Sequence, residues 1–245
     1  MDHNIAGKKI LVTGSAGGCG AAIAKALDEL DAVLILHDIP PKEDALKEEC
    51  KKYKNATYVT ADLSCEADVE AMWEKVKGID ILINNAGIWP TAYVREMTAD
   101  AFRKTLDINL LAPFILCRNF VNERIAAGKK GKIVNMVSQA AFHGSTSGHA
   151  HYAASKAGLV GFTISLAREV APNGINVNAV APGMMRTPMN EQALKEREDE
   201  YIQRIPLRRI ADASEVADVV VFLCSKQSDY MTGTTLDVTG GMLMR

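Results

Sequence analysis

The stretch that most restricts how this chain can fold lies near its start, where an apolar run ends abruptly in glycines. Lys9-Ile-Leu-Val-Thr13 is short and rich in branched residues, as a strand buried on both faces is. It runs into Gly14-Ser15-Ala-Gly17-Gly18-Cys19-Gly20, and then into the Ala-rich stretch Ala21 to Leu30, which reads as a helix. Glycines at the mouth of a strand let the backbone turn tightly and approach a ligand closely. The helix that follows offers its N-terminal amides and dipole to a pyrophosphate. A strand, a glycine turn and a helix in succession make a βα unit, and βα units repeat into parallel sheets.

The alternation continues along the chain. Further strands are expected at Ala32–His37, Thr57–Ala61, Asp80–Ile83, Gly131–Ser138, Gly174–Val180 and Thr234–Val238. Helices are expected at Lys42–Tyr53, from Thr98 onward, at Tyr152–Val170 and at Ser214–Cys224. Thr98, Ser64 and Ser214 stand where N-caps belong. Strands alternating with helices imply an α/β fold, a parallel sheet covered by helices on both faces. The 245 residues contain no internal repeat, low-complexity tract or long linker, so residues 1–245 read as a single domain. Residues 184–205 turn Met-rich and then strongly charged, which suits a helical lid with Met184, Met185 and Met189 toward a substrate and its charges toward water.

Composition excludes several classes of function. The formal net charge is −2 and the basic runs are short, so nucleic acid is not an expected partner. The five cysteines are scattered and form no C-x-x-C pair, which argues against a disulfide framework or structural zinc and for a reducing compartment. The polar start Met1-Asp-His-Asn-Ile-Ala-Gly7 does not read as a signal peptide, and no apolar run has the length of a membrane span. A cytoplasmic protein without a membrane partner is expected.

Two features carry chemistry. Asp38 ends the second strand, eighteen residues after Gly20, where a carboxylate can accept hydrogen bonds from both hydroxyls of an adenosine ribose. Ile39, Pro40 and Pro41 follow it, Ser15 is neutral, and no cation adjoins it in sequence, so NAD is favoured over NADP. The second feature is Tyr152 with Lys156, four apart in the Ala-rich segment Tyr-Ala-Ala-Ser-Lys and therefore on one helix face. A phenol is a poor base at neutrality, but a nearby cation favours its phenolate. Ser138, fourteen residues upstream at the end of a strand, can hold a substrate oxygen beside that phenol. Such a site exchanges a proton with an alcohol or ketone.

Y-A-A-S-K with that upstream serine, T-G-x-x-x-G-x-G at Thr13, Gly14, Gly18 and Gly20, Asn84-Asn85-Ala86-Gly87, and Pro182-Gly183-x-x-x-Thr187 together resemble the classical short-chain dehydrogenase/reductase family. The resemblance spans Lys8 to Gly241 and implies a Rossmann-type, doubly wound sheet of seven parallel strands. By the same resemblance, Tyr152 is the acid/base, Lys156 lowers its pKa and contacts the nicotinamide ribose, Ser138 orients substrate, and Asn109 bends its helix through a bound water to serve a proton relay. Asp62 and Leu63 would meet the adenine, Asn85, Ala86 and Gly87 would pass close to the cofactor, and Pro182, Gly183 and Thr187 would bind the carboxamide. Ser15, Cys19 and Ile39 complete the expected cofactor contacts. Cys19 and Thr239 stand where relatives often carry a bulkier residue and an Asp. Family members usually assemble as homotetramers, and a homotetramer is expected here.

The expected activity is NAD-dependent interconversion of a secondary alcohol and a ketone, with hydride moving directly to or from nicotinamide and no metal. A polar loop rich in Ser, Thr and His suits a small polyol- or sugar-like substrate. The alternatives are a 3-oxoacyl thioester reductase using NADPH and an inactive NAD(H)-binding sensor. His143, His149 and His151 cluster without neighbouring carboxylates, so a metal is not expected; His143 or His149 could line the substrate pocket, and Arg186 could meet an anion.

Overall fold

The computed structural model describes residues 3–145 and 148–245, apart from the side chains at 189 and 193. β1 (Lys9–Thr13) leads through α1 (Gly18–Asp28), β2 (Val33–Asp38), α2 (Glu43–Cys50), β3 (Ala56–Thr60) and α3 (Glu66–Val76) to β4 (Ile81–Asn84). Then come α4 (Ala99–Leu106), α5 (Ala112–Ala126), β5 (Gly131–Met136), α6 (Ala140–His143), α7 (Ala150–Val170) and β6 (Ile175–Pro182). The chain ends through β7 (Met185–Arg186), α8 (Glu191–Arg204), β8 (Ala211–Asp212), α9 (Ala213–Cys224) and β9 (Thr235–Val238).

Seven strands form one parallel sheet in the order β3-β2-β1-β4-β5-β6-β9. Strand side chains alternate between its faces. Leu11, Ile35, Leu82, Ile133 and Val177 pack with α3, α5 and α7 through Trp73, Phe120 and Val170. Ile10, Val12, Leu34, Leu36, Ile81 and Ile83 pack on the other face with α1 and α9 through Ile23, Leu27, Val216 and Val220. Each fully buried aliphatic side chain contributes about 1.5–3 kcal/mol, so two such layers commit the strands to a doubly covered sheet. The chain winds outward from β1 to β3 and then crosses back to β4. The β1 and β4 carboxyl ends therefore diverge into a crevice, the position where such sheets bind ligands.

Several local expectations are corrected. Cys65, not Ser64, precedes the first turn of α3; the Ser64 amide and hydroxyl both donate to Asp62 Oδ1, at 2.9 and 2.7 Å. Asp212, not Ser214, caps α9, and Glu215 completes a capping box by reaching back to the Asp212 amide at 3.0 Å. The proposed lid contains more than a helix: β7 pairs with β8 in a small second sheet that ties residues 185–186 to 211–212. Thr98 caps α4 as expected, its hydroxyl accepting from the Ala101 amide at 3.1 Å.

Candidate active site

The mouth of the crevice is built from backbone. Thr13 Oγ1 accepts from the amides of Asn85 and Ala86, each at 3.0 Å, while Asn85 Nδ2 donates to the carbonyls of Thr13 and Gly14 at 2.9 and 3.0 Å. These bonds lock the glycine turn against the end of β4. No side chain larger than hydrogen fits there. Gly14 has φ +69°, and a Cβ on it would stand 2.8 Å from Ala86 Cα; a Cβ on Gly20 would stand 2.1 Å from the Gly14 carbonyl oxygen. Gly17 precedes α1 with no side-chain cap, and its first turn carries no acidic residue. The first amides of α1 are thus left for an external anion.

Asp38 stands across this turn from α1. Its Oδ2 accepts from the Ala16 amide at 3.1 Å and its Oδ1 from the Ile39 amide at 2.9 Å, so the carboxylate clasps the glycine turn. The absence of a neighbouring cation, expected from sequence, does not hold: Lys42 Nζ lies 3.5 Å from Asp38 Oδ1. A 3₁₀ turn at Pro40–Lys42 folds the chain back and places the lysine there. Ser15 is also corrected. Its hydroxyl donates to the His37 carbonyl at 3.1 Å and accepts from the His37 amide at 3.0 Å, fully buried and away from the crevice.

The crevice opens into a cavity of about 760 Å³. Gly14, Gly18, Cys19, Gly20, Asp38 and Ile39 line one part of it, with Asp62 and Leu63 beside them. Asn85, Ala86, Gly87, Pro182, Gly183 and Thr187 line it too. Burial pushes the Cys19 thiol up to about 12, so it is no nucleophile.

Ser138, Tyr152 and Lys156 line the same cavity, brought together from the end of β5 and one face of α7. Lys156 Nζ is buried, donates to the Met136 carbonyl at 2.8 Å, and sits 5.8 Å from the Tyr152 ring centroid. Burial lowers its pKa to about 8. Burial raises the Tyr152 pKa, and the opposing pull is a hydrogen bond with Ser138.

Asn109 is fully buried and does not line the cavity. It lies in a π-helical turn at Asp107–Leu111 that interrupts the helix between α4 and α5. Its Oδ1 accepts from the Ile88 amide at 2.9 Å, and its Nδ2 donates to the Ile88 carbonyl at 3.0 Å and Ser155 Oγ at 3.1 Å. It thereby fixes the strand end opposite Lys156: a Cβ on Gly87 would stand 3.2 Å from Asn109 Oδ1 and 3.4 Å from Lys156 Nζ.

Of the three clustered histidines, His143 and His149 line the cavity and His151 is buried outside it. The buried His149 stacks on Trp89 with centroids 4.2 Å apart, and its Nδ1 donates to the Pro90 carbonyl at 2.8 Å. Desolvation lowers its pKa, so it is a neutral brace for the loop after β4. Met184 and Met185 line the cavity as expected, while the Met189 side chain lies outside the described ones. Arg186 instead points outward to Glu198, and the solvated-face expectation for the lid fails at Arg197 and Arg204, which line the cavity. Their charge pattern alone carried no sign of this.

The residues present fit a nicotinamide dinucleotide. A carboxylate, an uncapped helix start and a phenol with a serine and a lysine share one cavity, the groups that a ribose, a pyrophosphate and a nicotinamide substrate site call for. A family model described as enoyl-(acyl carrier protein) reductase matches residues 14–243. The chain belongs to the classical short-chain dehydrogenase/reductase family. It is 38% identical to the 3-oxoacyl-(acyl-carrier-protein) reductase FabG of Rickettsia felis over 242 residues, 98% of this chain and 99% of that one. A crystal structure from Brucella melitensis described as a short-chain glucose/ribitol dehydrogenase superposes with a TM-score of 0.90 at 34% identity, covering all of both chains. A proposed 2-deoxy-d-gluconate 3-dehydrogenase of Agrobacterium tumefaciens, solved with NADP bound, gives 0.88 at 35% identity over 98% of each chain. As a short-chain dehydrogenase/reductase the protein is a nicotinamide-dependent oxidoreductase.

Proposed function

We propose that this oxidoreductase uses NAD to interconvert a secondary alcohol and a ketone on a small, polar, polyol- or sugar-like substrate. The observation that carries this reading is the single cavity running from the Asp38 carboxylate to the Ser138, Tyr152 and Lys156 side chains. When bound, the nicotinamide accepts or supplies hydride at the substrate carbon. Tyr152 Oη takes the hydroxyl proton in oxidation and returns it in reduction. Ser138 Oγ holds the substrate oxygen beside the phenol. Lys156 holds the ribose, and its ammonium, charged below about pH 8, opposes the effect of burial on the phenol. Asn109 keeps the Ile88 backbone and the Lys156 surroundings in register.

The NAD preference is supported by the Asp38 carboxylate, which repels a 2′-phosphate. Residues 1–245 act as one catalytic domain, with 184–205 as the lid. Homotetramer assembly is supported by exposed apolar side chains along α4, α5 and α7, namely Phe102, Phe114, Ile125 and Ile164. Among the described residues no helix is long and apolar enough to cross a membrane, which is compatible with a cytoplasmic enzyme.

A second reading, an NADPH-dependent 3-oxoacyl thioester reductase, is favoured by the 3.5 Å approach of Lys42 to Asp38 and by the activity named for the Rickettsia relative. A screen at 340 nm of polyols, sugars and hydroxy acids with NAD⁺ and NADP⁺, alongside a 3-oxoacyl thioester with NADH and NADPH, separates the two. Alcohol oxidation with NAD⁺ supports the first reading. Thioester reduction by NADPH alone, with Lys42→Ala selectively weakening NADPH, supports the second. Cofactor binding without turnover of anything in the panel makes the chain a nucleotide-binding sensor.

A further inference from the structure

The lid sorts its charges by sign. Between Glu191 and Arg204 the sequence carries Glu191, Glu196, Glu198, Asp199 and Glu200 against Lys195, Arg197 and Arg204. None of those five carboxylates lines the cavity, whereas both arginines do. A merely solvated helix has no reason to segregate its charges in this way. The backbone is organised to the same end: at Arg197 (φ −141°, ψ 27°) α8 departs from helical geometry and divides into two segments. Arg197 lies 5.8 Å from the Tyr201 ring centroid and feels the phenol of Tyr93 from the loop after β4. That places it on the substrate side of the cavity, across from the glycine turn that serves a pyrophosphate.

The partners of the two arginines differ. Arg197 is held by both oxygens of Glu200, at 2.7 and 2.6 Å. Among the described residues Arg204 makes no hydrogen bond or ion pair and meets Glu200 through its charge alone, although Lys195 and Arg186 on the outer side each have a glutamate. Beside Ser138, the buried Gln139 Oε1 also lines the cavity without a donor, its amide nitrogen being engaged with Met242 Sδ at 3.2 Å. Among the described residues this end of the site therefore offers a guanidinium with no hydrogen-bonded carboxylate, a second guanidinium on the same helix, and an acceptor that requires a hydroxyl or amide hydrogen.

We propose that the substrate is a polyhydroxylated carboxylate, an aldonate-type acid, whose carboxylate is bound by Arg204 with Arg197 in support while one of its secondary hydroxyls lies at Tyr152. The inference rests on the alcohol-dehydrogenase reading above and narrows it. A planar guanidinium matches a carboxylate in bidentate geometry, which a neutral polyol cannot exploit.

The test pairs aldonates, D-gluconate among them, with alditols of the same carbon number, D-sorbitol among them, as NAD⁺-dependent substrates. The wild-type enzyme should favour the acids in kcat/KM by about tenfold to a hundredfold, the range of a charged hydrogen-bonded contact. Arg204→Gln should bring the acid-to-alditol ratio toward one, Arg204→Lys should retain part of it, and Arg197→Gln should lower it less. Lys195→Gln, on the same helix but outside the cavity, should keep the full ratio. Calorimetric binding of D-gluconate to the enzyme–NADH complex should weaken in Arg204→Gln while the NADH Kd does not. A wild-type ratio at or below one, or a ratio indifferent to both arginines, overturns the anchor and leaves the alcohol reading standing. Failure to oxidise any secondary alcohol, acidic or neutral, overturns both. A weaker NADH Kd in Arg204→Gln with an unchanged ratio would assign the arginine to the cofactor and overturn the proposal.

Discussion

The two ends of the cavity are made of different material. At the adenosine end the walls are backbone and short side chains at the mouths of β1, β2 and β4, stitched by Thr13, Asn85 and Asp38 and tied into both core layers. At the substrate end they are long side chains on α8, a helix held mainly by β7–β8 pairing, surface ion pairs and the small cluster around Leu194, Ile205 and Ile210. A site that recognises an invariant dinucleotide can be rigid, because its ligand never changes. A site that must admit and release substrate is better mounted on a segment with few deep contacts, whose opening costs little. The Ser138, Tyr152 and Lys156 side chains line the same cavity.

The largest way to break this comparison lies with the phenol. Tyr152→Phe should lower kcat by about 10²–10⁴-fold while NADH titrations remain those of the wild type, because only the proton donor is lost. Full turnover in that variant would remove the tyrosine from the mechanism.

Rigidity at the adenosine end is tested next by Gly20→Ala. Its Cβ would meet the Gly14 carbonyl oxygen at 2.1 Å and Asn85 Nδ2 at 2.8 Å, so backbone must move. A loss of several kcal/mol in stability and NADH binding weakened by at least about tenfold are expected. Gly161→Ala on α7 is the counterpart. Nothing lies within 4 Å of its Cβ, so thermal unfolding should show a gain of about 0.5–1 kcal/mol. Equal behaviour of the two variants would mean that the glycine turn is not tightly held.

Lys156 sharpens the contrast between function and stability. Its folded pKa of about 8 lies below the free-lysine value near 10.5, so the buried ammonium destabilises the cofactor-free fold below about pH 8. Between pH 8 and 10.5 the unfolded chain still binds the proton that the folded chain has released, and stability contributed by this group rises with pH. Lys156→Met should therefore be more stable than wild type at pH 7 by about 1–2 kcal/mol, after loss of the Met136 hydrogen bond, and inactive. That advantage should shrink toward pH 10. An advantage independent of pH would mean that the ammonium is not the cause.

The smallest effect is expected at the lid. The Arg186–Glu198 pair is half-exposed, so Glu198→Gln should change unfolding free energy by less than about 1 kcal/mol. If this pair helps to hold α8 closed, the same change should raise substrate KM with NADH affinity unaltered. A shift in NADH affinity instead would extend the lid's influence to the rigid end.

Much of the architecture was legible because it is written locally. Branched runs, glycine turns and the four-residue spacing of Tyr152 and Lys156 are properties of neighbours along the chain, and they fall where they were expected. What failed involved direction or distance. Ser15 sits beside Gly14 in sequence, yet its side chain turns away from the crevice to bond His37. Lys42 is separated from Asp38 by Ile39 and two prolines, and a 3₁₀ turn returns it to the carboxylate. Asn109 lies in a π-helical turn, which leaves no periodic signature. The inward arginines of α8 could not be told from outward ones, because a charge pattern records composition without a reference direction.

By itself, then, the sequence determined the parallel sheet, the glycine turn at the mouth of β1 and the shared helix face of Tyr152 and Lys156, since each follows from residue type and short-range spacing under the same steric rules in any chain. Only the tertiary structure decided that Lys42 faces Asp38, that Ser15 turns to His37, and that Arg197 and Arg204 line the cavity. Those outcomes depend on which distant groups are brought into contact and which are removed from water, and neither is encoded in local spacing.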